Sequence, residues 1–108
     1  MVSQYLRGRR IEYDVKKKLE GLGYIVTRAS GSHTAFDLIA SSRNCVRFVQ
    51  CKYTKSKNNF VKEKKQLEET ARICVPCGCF VELWVKRKSK RKFEIDIFDS
   101  NGKCSIER

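Results

Sequence analysis

Two neighbouring stretches, Phe36-Asp37-Leu38-Ile39-Ala40 and Val46-Arg47-Phe48-Val49-Gln50-Cys51-Lys52-Tyr53, decide how this chain folds. Both are rich in β-branched and aromatic residues, and Arg43-Asn44 between them has turn chemistry, so together they read as a β-hairpin. Side chains alternate across a strand, which puts Val46, Phe48, Gln50 and Lys52 on one face. The apolar beginning of that face should pack on the helix that precedes the hairpin and its polar end should emerge at the rim, near Asp37 at the head of the preceding strand.

Outward from the hairpin, Ile11, Val15, Leu19 and Leu22 recur at helical spacing and predict an amphipathic helix over residues 4 to 20, stopped by Gly21 and Gly23. Glu12 falls one step round from Ile11, at the edge of the apolar stripe, while Arg7, Arg9, Arg10 and Lys16 to Lys18 take the wetter faces. Tyr24 to Arg28 reads as a first strand that ends at the turn-forming stretch Ser30 to Thr34. Asn58 or Asn59 can cap a second helix running to Val75, with Phe60, Leu67, Ala71 and Cys74 on one side and Pro76 and Gly78 ending it. Phe80 to Val85 and Phe93 to Phe98 alternate as two further strands, joined by a loop rich in Lys and Arg from Lys86 to Lys92. The predicted order is αβββαββ, with a short last strand near Cys104 to Ile106 as an optional addition. The fold class is α/β, a central mixed sheet flanked by helices.

Composition narrows the partner. The 108 residues support one compact core and not two, so residues 1 to 108 are read as a single domain. Twenty-four Lys and Arg against 12 Asp and Glu give a formal charge of +12, far beyond what solubility requires, and the basic residues recur along the whole length. Such a surface suits a polyanion, and nucleic acid is the expected partner. No apolar run approaches the ~20 residues of a membrane span, and the first residues lack a secretory pattern. A membrane partner and a small-molecule substrate are not expected, and the setting is expected to be intracellular.

Glu12, Asp37, Gln50 and Lys52 form the set with chemical content. A phosphodiester repels nucleophiles, and a divalent cation both neutralises its oxygens and helps generate hydroxide. Asp37, the side-chain oxygen of Gln50 and the main-chain carbonyl of Cys51 can supply hard oxygen ligands, with Glu12 reaching from the helix. Lys52 can orient the attacking water and offset transition-state charge. Glu63-Lys64-Lys65 repeats the short acid-x-Lys pattern, but it lies in a predicted helix, where residues two apart do not face the same way.

In Arg7-Gly8-Arg9-Arg10-Ile11-Glu12, in the stretch from Arg28 to Asp37, and in Val49-Gln50-Cys51-Lys52, the chain resembles the archaeal-type Holliday junction resolvases of the PD-(D/E)xK, restriction-endonuclease-like nuclease superfamily. The matching motifs cover the first half of the chain, and the family's topology is expected to extend to the rest. It implies the restriction-endonuclease-like fold and a Mg²⁺-dependent endodeoxyribonuclease, with Mn²⁺ as a substitute. It also implies a homodimer, in an archaeal cell or virus, that cuts four-way junctions in DNA recombination and repair. Glu12, Asp37, Gln50 and Lys52 fall at the family's metal and catalytic positions, and Ser32 at the serine of its catalytic loop. Phe36 stands where Pro is usual, at little cost. Gln50 stands where an acid is usual, which removes one negative charge from the metal site. Two alternatives follow: a related nuclease acting on another DNA structure in restriction, repair or viral replication, and a DNA-binding module that has lost catalysis.

Arg9, Arg10, Arg28, Lys55 and Lys57 are the remaining expected nucleic-acid contacts, together with His33, for which a turn-satisfying role is the blander reading. The Lys86 to Lys92 loop is either an electrostatic grip or a charged tip that deters edge pairing. Trp84 reads as core or dimer interface. Six cysteines without an export signal read as reduced thiols, and Cys74, Cys77 and Cys79 as thiols at a helix end rather than a zinc site, with a Cys74 to Cys77 disulfide as the oxidised alternative.

Overall fold

In a computed structural model, which describes residues 4–29, 36–74, 79–102 and 104–107, the first helix, α1, spans Gln4–Gly21. Its stripe of Ile11, Val15 and Leu19 is buried against the sheet. Leu22 departs from the expected stripe and is 67% exposed, because the helix has already closed around it. The Gly23 amide donates to the Glu20 carbonyl at 3.0 Å, and the Tyr24 amide to the Leu19 carbonyl at 3.1 Å. This Schellman arrangement needs a left-handed residue, and Gly23 supplies it with φ of 95°.

Six strands follow in spatial order: β1 (Ile25–Arg28), β2 (Leu38–Ser41), β3 (Val46–Thr54), β4 (Cys79–Arg87), β5 (Glu94–Phe98) and β6 (Cys104–Glu107). The last is the optional strand, so the order becomes αβββαβββ. Only β3 and β4 pair in parallel, and the other neighbours are antiparallel. The hairpin register places Leu38 opposite Val49 and Ser41 opposite Val46, and Ser42 Oγ takes the Asn44 and Cys45 amides across the tight turn. The parallel pair requires a crossover, and α2 (Val61–Cys74) provides it.

Alternation divides the core in two. On the α1 face lie Val26, Leu38, Ala40, Val49, Trp84 and Phe93, joined by Cys51 and Tyr53. On the α2 face lie Phe60, Leu67, Ala71, Val81, Leu83, Val85 and Phe98, joined by Phe36 and Phe48. The face of β3 that carries Phe48, Gln50 and Lys52 is therefore turned towards the second helix, while α1 covers Val49, Cys51 and Tyr53. Strand β4, covered from both sides, is buried continuously from Val81 to Val85. That run includes Glu82, whose side chain accepts from Trp84 Nε1 at 2.8 Å and lies 3.4 Å from Arg47 Nε. Trp84 is thus a core residue, 4% exposed.

The entry to α2 also differs from a simple Asn cap. Asn58 Oδ1 accepts from the Phe60 amide at 2.8 Å, and the Phe60 carbonyl takes the first helical bond from Lys64. Phe60 occupies the left-handed region at φ 53° while its ring is buried in the α2-side core. Burial of that ring offsets a backbone strain of about 1–3 kcal/mol. Of the Cys74, Cys77 and Cys79 group, Cys77 and the Cys74 side chain lie outside the described residues; Cys79 is a free thiol against the α2-side core.

Candidate active site

Strands β1 and β3 run in the same direction, so Arg28, the Gln50-Cys51-Lys52 segment and the loop holding Lys55 and Lys57 all lie towards one end of the sheet. Asp37 reaches that end from β2. Its amide donates to the Val49 carbonyl at 2.8 Å, continuing the ladder one step beyond Leu38. Its carboxylate then turns along the sheet edge, where Oδ2 accepts the Cys51 amide at 2.7 Å. In a strand, the N–H and C=O of one residue point to the same side, so the Cys51 carbonyl also faces the space past the end of β2.

Glu12 approaches from the α1 face. Its Oε1 lies 3.1 Å from Arg28 Nε, an ion pair between helix and edge strand in which Glu12 is the more buried partner. Burial holds the Cys51 thiol well above its ordinary value, reinforced first by the Asp37 carboxylate and then by Glu12. Both acids therefore act on the surroundings of Cys51. Gln50 and Lys52 stand on the other face of β3, two residues apart in one row. Gln50 Oε1 is buried and has no hydrogen-bond partner among the described residues. A buried amide oxygen without a donor costs about 1–3 kcal/mol unless something else supplies positive charge.

The structure thus brings Asp37 onto Cys51 and Glu12 onto Arg28, and it sets Gln50 and Lys52 on the opposite side of the strand from Glu12. Asp37, at the start of β2, stands between these two groups in the chain order of the sheet. Among the described residues, no three His, Cys, Asp or Glu side chains converge as a metal cluster. The available donors are two carboxylates, a buried amide oxygen and a main-chain carbonyl. All are hard oxygens, a set that suits a divalent cation of the Mg²⁺ type and not a thiolate-seeking metal.

Ser32 and His33 lie outside the described residues. Arg9 and Arg10 are exposed on α1 and line a cavity of about 390 Å³ together with Glu12 and Arg28. Lys55 and Lys57 are exposed in the loop after β3. That loop is tied to the basic β4–β5 hairpin, since Lys88 N donates to the Thr54 carbonyl at 3.1 Å and Arg87 to the Ser56 carbonyl at 3.2 Å. Residues 55 to 57 and 88 to 92 therefore form one cationic end of the sheet. Sequence reasoning treated them separately, and it passed over Tyr13, Lys16 and Leu38, which complete the cavity wall. The spacing of Arg9, Tyr13 and Lys16, four and three residues apart on a helix, was the available signal. Among the described residues, no helix is long and apolar enough to cross a membrane.

Comparison with known proteins agrees with this geometry. A solved structure of Archaeoglobus fulgidus Hjc, a Holliday junction resolvase from an archaeal hyperthermophile, superposes with a TM-score of 0.62 at 21% sequence identity, covering 87% of this chain and 73% of that one. That likeness shows a shared fold. No curated protein matches the sequence. The family described as archaeal Holliday junction resolvase (hjc) matches residues 3–105, nearly the whole chain and not only its first half. A match of that extent places this chain in the archaeal Holliday junction resolvase family of endonucleases.

Proposed function

We propose that the chain resolves four-way DNA junctions as a Mg²⁺-dependent homodimer. Its centre would lie where β2 begins, built from Asp37, Gln50, the Cys51 carbonyl, Glu12 and Lys52. The observation that carries this reading is the Asp37 carboxylate held on the Cys51 amide, next in sequence to Gln50, whose buried oxygen has no partner among the described residues. Asp37, Gln50 and the Cys51 carbonyl would hold the cation directly, with Glu12 assisting from α1. When bound, a divalent ion supplies charge neutralisation at the scissile phosphate and lowers the pKa of attacking water.

The chain's own residues divide the remaining work. The Cys51 amide fixes one Asp37 oxygen, which leaves the other directed away from the strand. Lys52 supplies an ammonium group for the water and for the charge that grows on the phosphate oxygens. Arg28 restrains Glu12, and its partly exposed guanidinium would add positive charge where the DNA backbone passes. Arg9, Arg10, Lys55 and Lys57 extend the cationic surface along the DNA, with Ser32 and His33 on the loop before Asp37 as further contacts. Two symmetric cuts need two such centres, and a chain of this size holds one, which is the reason to expect a dimer.

A cleavage panel tests the proposal. With Mg²⁺ the protein should cut a synthetic four-way junction at symmetric positions and leave linear duplex intact, and Asp37→Ala should abolish cutting. Light scattering should give the mass of two chains. Junction cutting retained in Asp37→Ala would remove the assignment, and preference for flap or linear duplex would replace the substrate. Binding without hydrolysis in Mg²⁺ and in Mn²⁺ would mark a catalytically silent DNA-binding descendant.

A further inference from the structure

The cavity beside Glu12 is more than a place for a phosphate backbone to rest. Its rim is cationic, with Arg9 and Arg10 joined by Lys16, yet its wall includes the Tyr13 ring and Leu38. Tyr13 is 56% exposed, two positions from the buried Ile11 and so on the outer side of α1. A volume of about 390 Å³ lies in the lower part of the ~300–1,000 Å³ range of pockets that receive a small organic group. Cationic rim, aromatic wall and this size together match one nucleotide, a charged phosphate joined to a flat base.

We infer that this cavity receives a single unstacked nucleotide of the junction strand, with its phosphate against Arg9, Arg10 and Lys16 and its base against Tyr13. The inference rests on the resolvase reading and deepens it. Because Glu12 and Arg28 belong both to the cavity and to the candidate centre, the captured nucleotide lies next to the phosphate being cut. Removing a base from a continuous duplex costs stacking and pairing, whereas a branch point has already lost part of both. The pocket therefore favours branched over linear DNA without reading sequence. The Lys17 ammonium stands 4.9 Å from the Tyr13 ring centroid, which leaves one face of the ring for a stacked base.

The test uses the full-length protein and a four-way junction with 2-aminopurine placed in turn at each position flanking the cut, in EDTA so that nothing is cleaved. Wild-type binding should raise the emission at one of these positions. Tyr13→Ala should lose that rise and weaken junction binding by about fivefold to a hundredfold, with duplex affinity unchanged, and Tyr13→Phe should restore both. Tyr13 is largely exposed, so the variants should melt like wild type. A silent probe at every flanking position overturns the inference. So does Tyr13→Ala binding the junction as wild type does, or an emission rise that survives in Tyr13→Ala. If wild type selects and cuts the junction while the probe stays silent, only the pocket assignment falls. If it shows no preference for the junction at all, the resolvase reading falls with it.

Discussion

Asp37 Oδ2 accepts the main-chain amide of Cys51 at 2.7 Å, so the acid of one strand is anchored by the backbone of the next. The bond stations a carboxylate just ahead of Leu38, the first residue of β2, on the side of β3 to which the Cys51 carbonyl also points. Asp37→Asn keeps an oxygen to accept that amide but removes the charge. Cleavage should drop by on the order of a hundredfold or more, the upper end of what even indirect metal-site changes cost, while the melting temperature stays near wild type. Junction cleavage rates and thermal melts of the same preparation check this, and near-normal cutting would exclude Asp37 as a ligand.

Arg28 and Glu12 compete with the two partners of the site. The guanidinium 3.1 Å from the Glu12 carboxylate opposes cation binding there, yet it presents charge to DNA. Arg28→Ala should therefore tighten Mn²⁺ binding to the free protein severalfold while weakening DNA binding, and it should reduce the salt slope of DNA affinity by about one. Calorimetric Mn²⁺ titration and fluorescence anisotropy over a salt series read the two effects separately. If both affinities weaken, Arg28 acts only by holding Glu12 in place.

Gln50→Glu adds a charge at a position where the buried oxygen has no partner among the described residues. Metal affinity of the free protein should rise, because the charge count of the ligand set increases. Metal titration of the two proteins decides the point. An unchanged affinity would mean that the side chain at position 50 does not face the cation.

Glu82 is fully buried and depends on Arg47 and Trp84 for compensation. Arg47→Ala leaves that carboxylate without its cation and should destabilise the fold by about 3 kcal/mol, the lower end of what breaking a buried pair costs. Replacing both partners together, as Arg47→Met with Glu82→Leu, should recover much of the loss. Urea unfolding of the single and double variants measures it.

Tyr24 carries a pH dependence. Burial, and then its bond with the Cys45 thiol at 3.2 Å, raise its pKa above the ordinary 10.0, with the nearby Arg47 pulling the other way. The folded state thus holds this proton more tightly than the unfolded chain does. The contribution to stability is present below about pH 10 and fades as pH rises through the folded value. Tyrosinate absorbance should show a component that ionises above the ordinary tyrosine range and is missing in Tyr24→Phe, a variant that should also flatten the alkaline fall of the melting temperature. An alkaline titration with no such late component would refute the assignment.

Much of this was written in the order of residues. The 3.6-residue recurrence of Ile11, Val15 and Leu19, the period-two strands and the turn at Arg43-Asn44 determined where helices and strands form, since each depends on neighbours within a few positions. The same local rules put Gln50 and Lys52 on one face and identified Glu12, Asp37 and the charge excess as the chemistry of a nuclease. Which helix covers which face was decided only in three dimensions. It depends on the crossover through α2, which buries Phe48 under the second helix and leaves Glu12 on the side opposite Gln50. The pairing of Arg28 with Glu12, the burial of Glu82 with Arg47, and the cavity wall of Tyr13 and Leu38 join residues 16, 35 and 25 positions apart in the chain. Contacts of that kind follow from packing complementarity across the whole sheet, and no short window of sequence contains it.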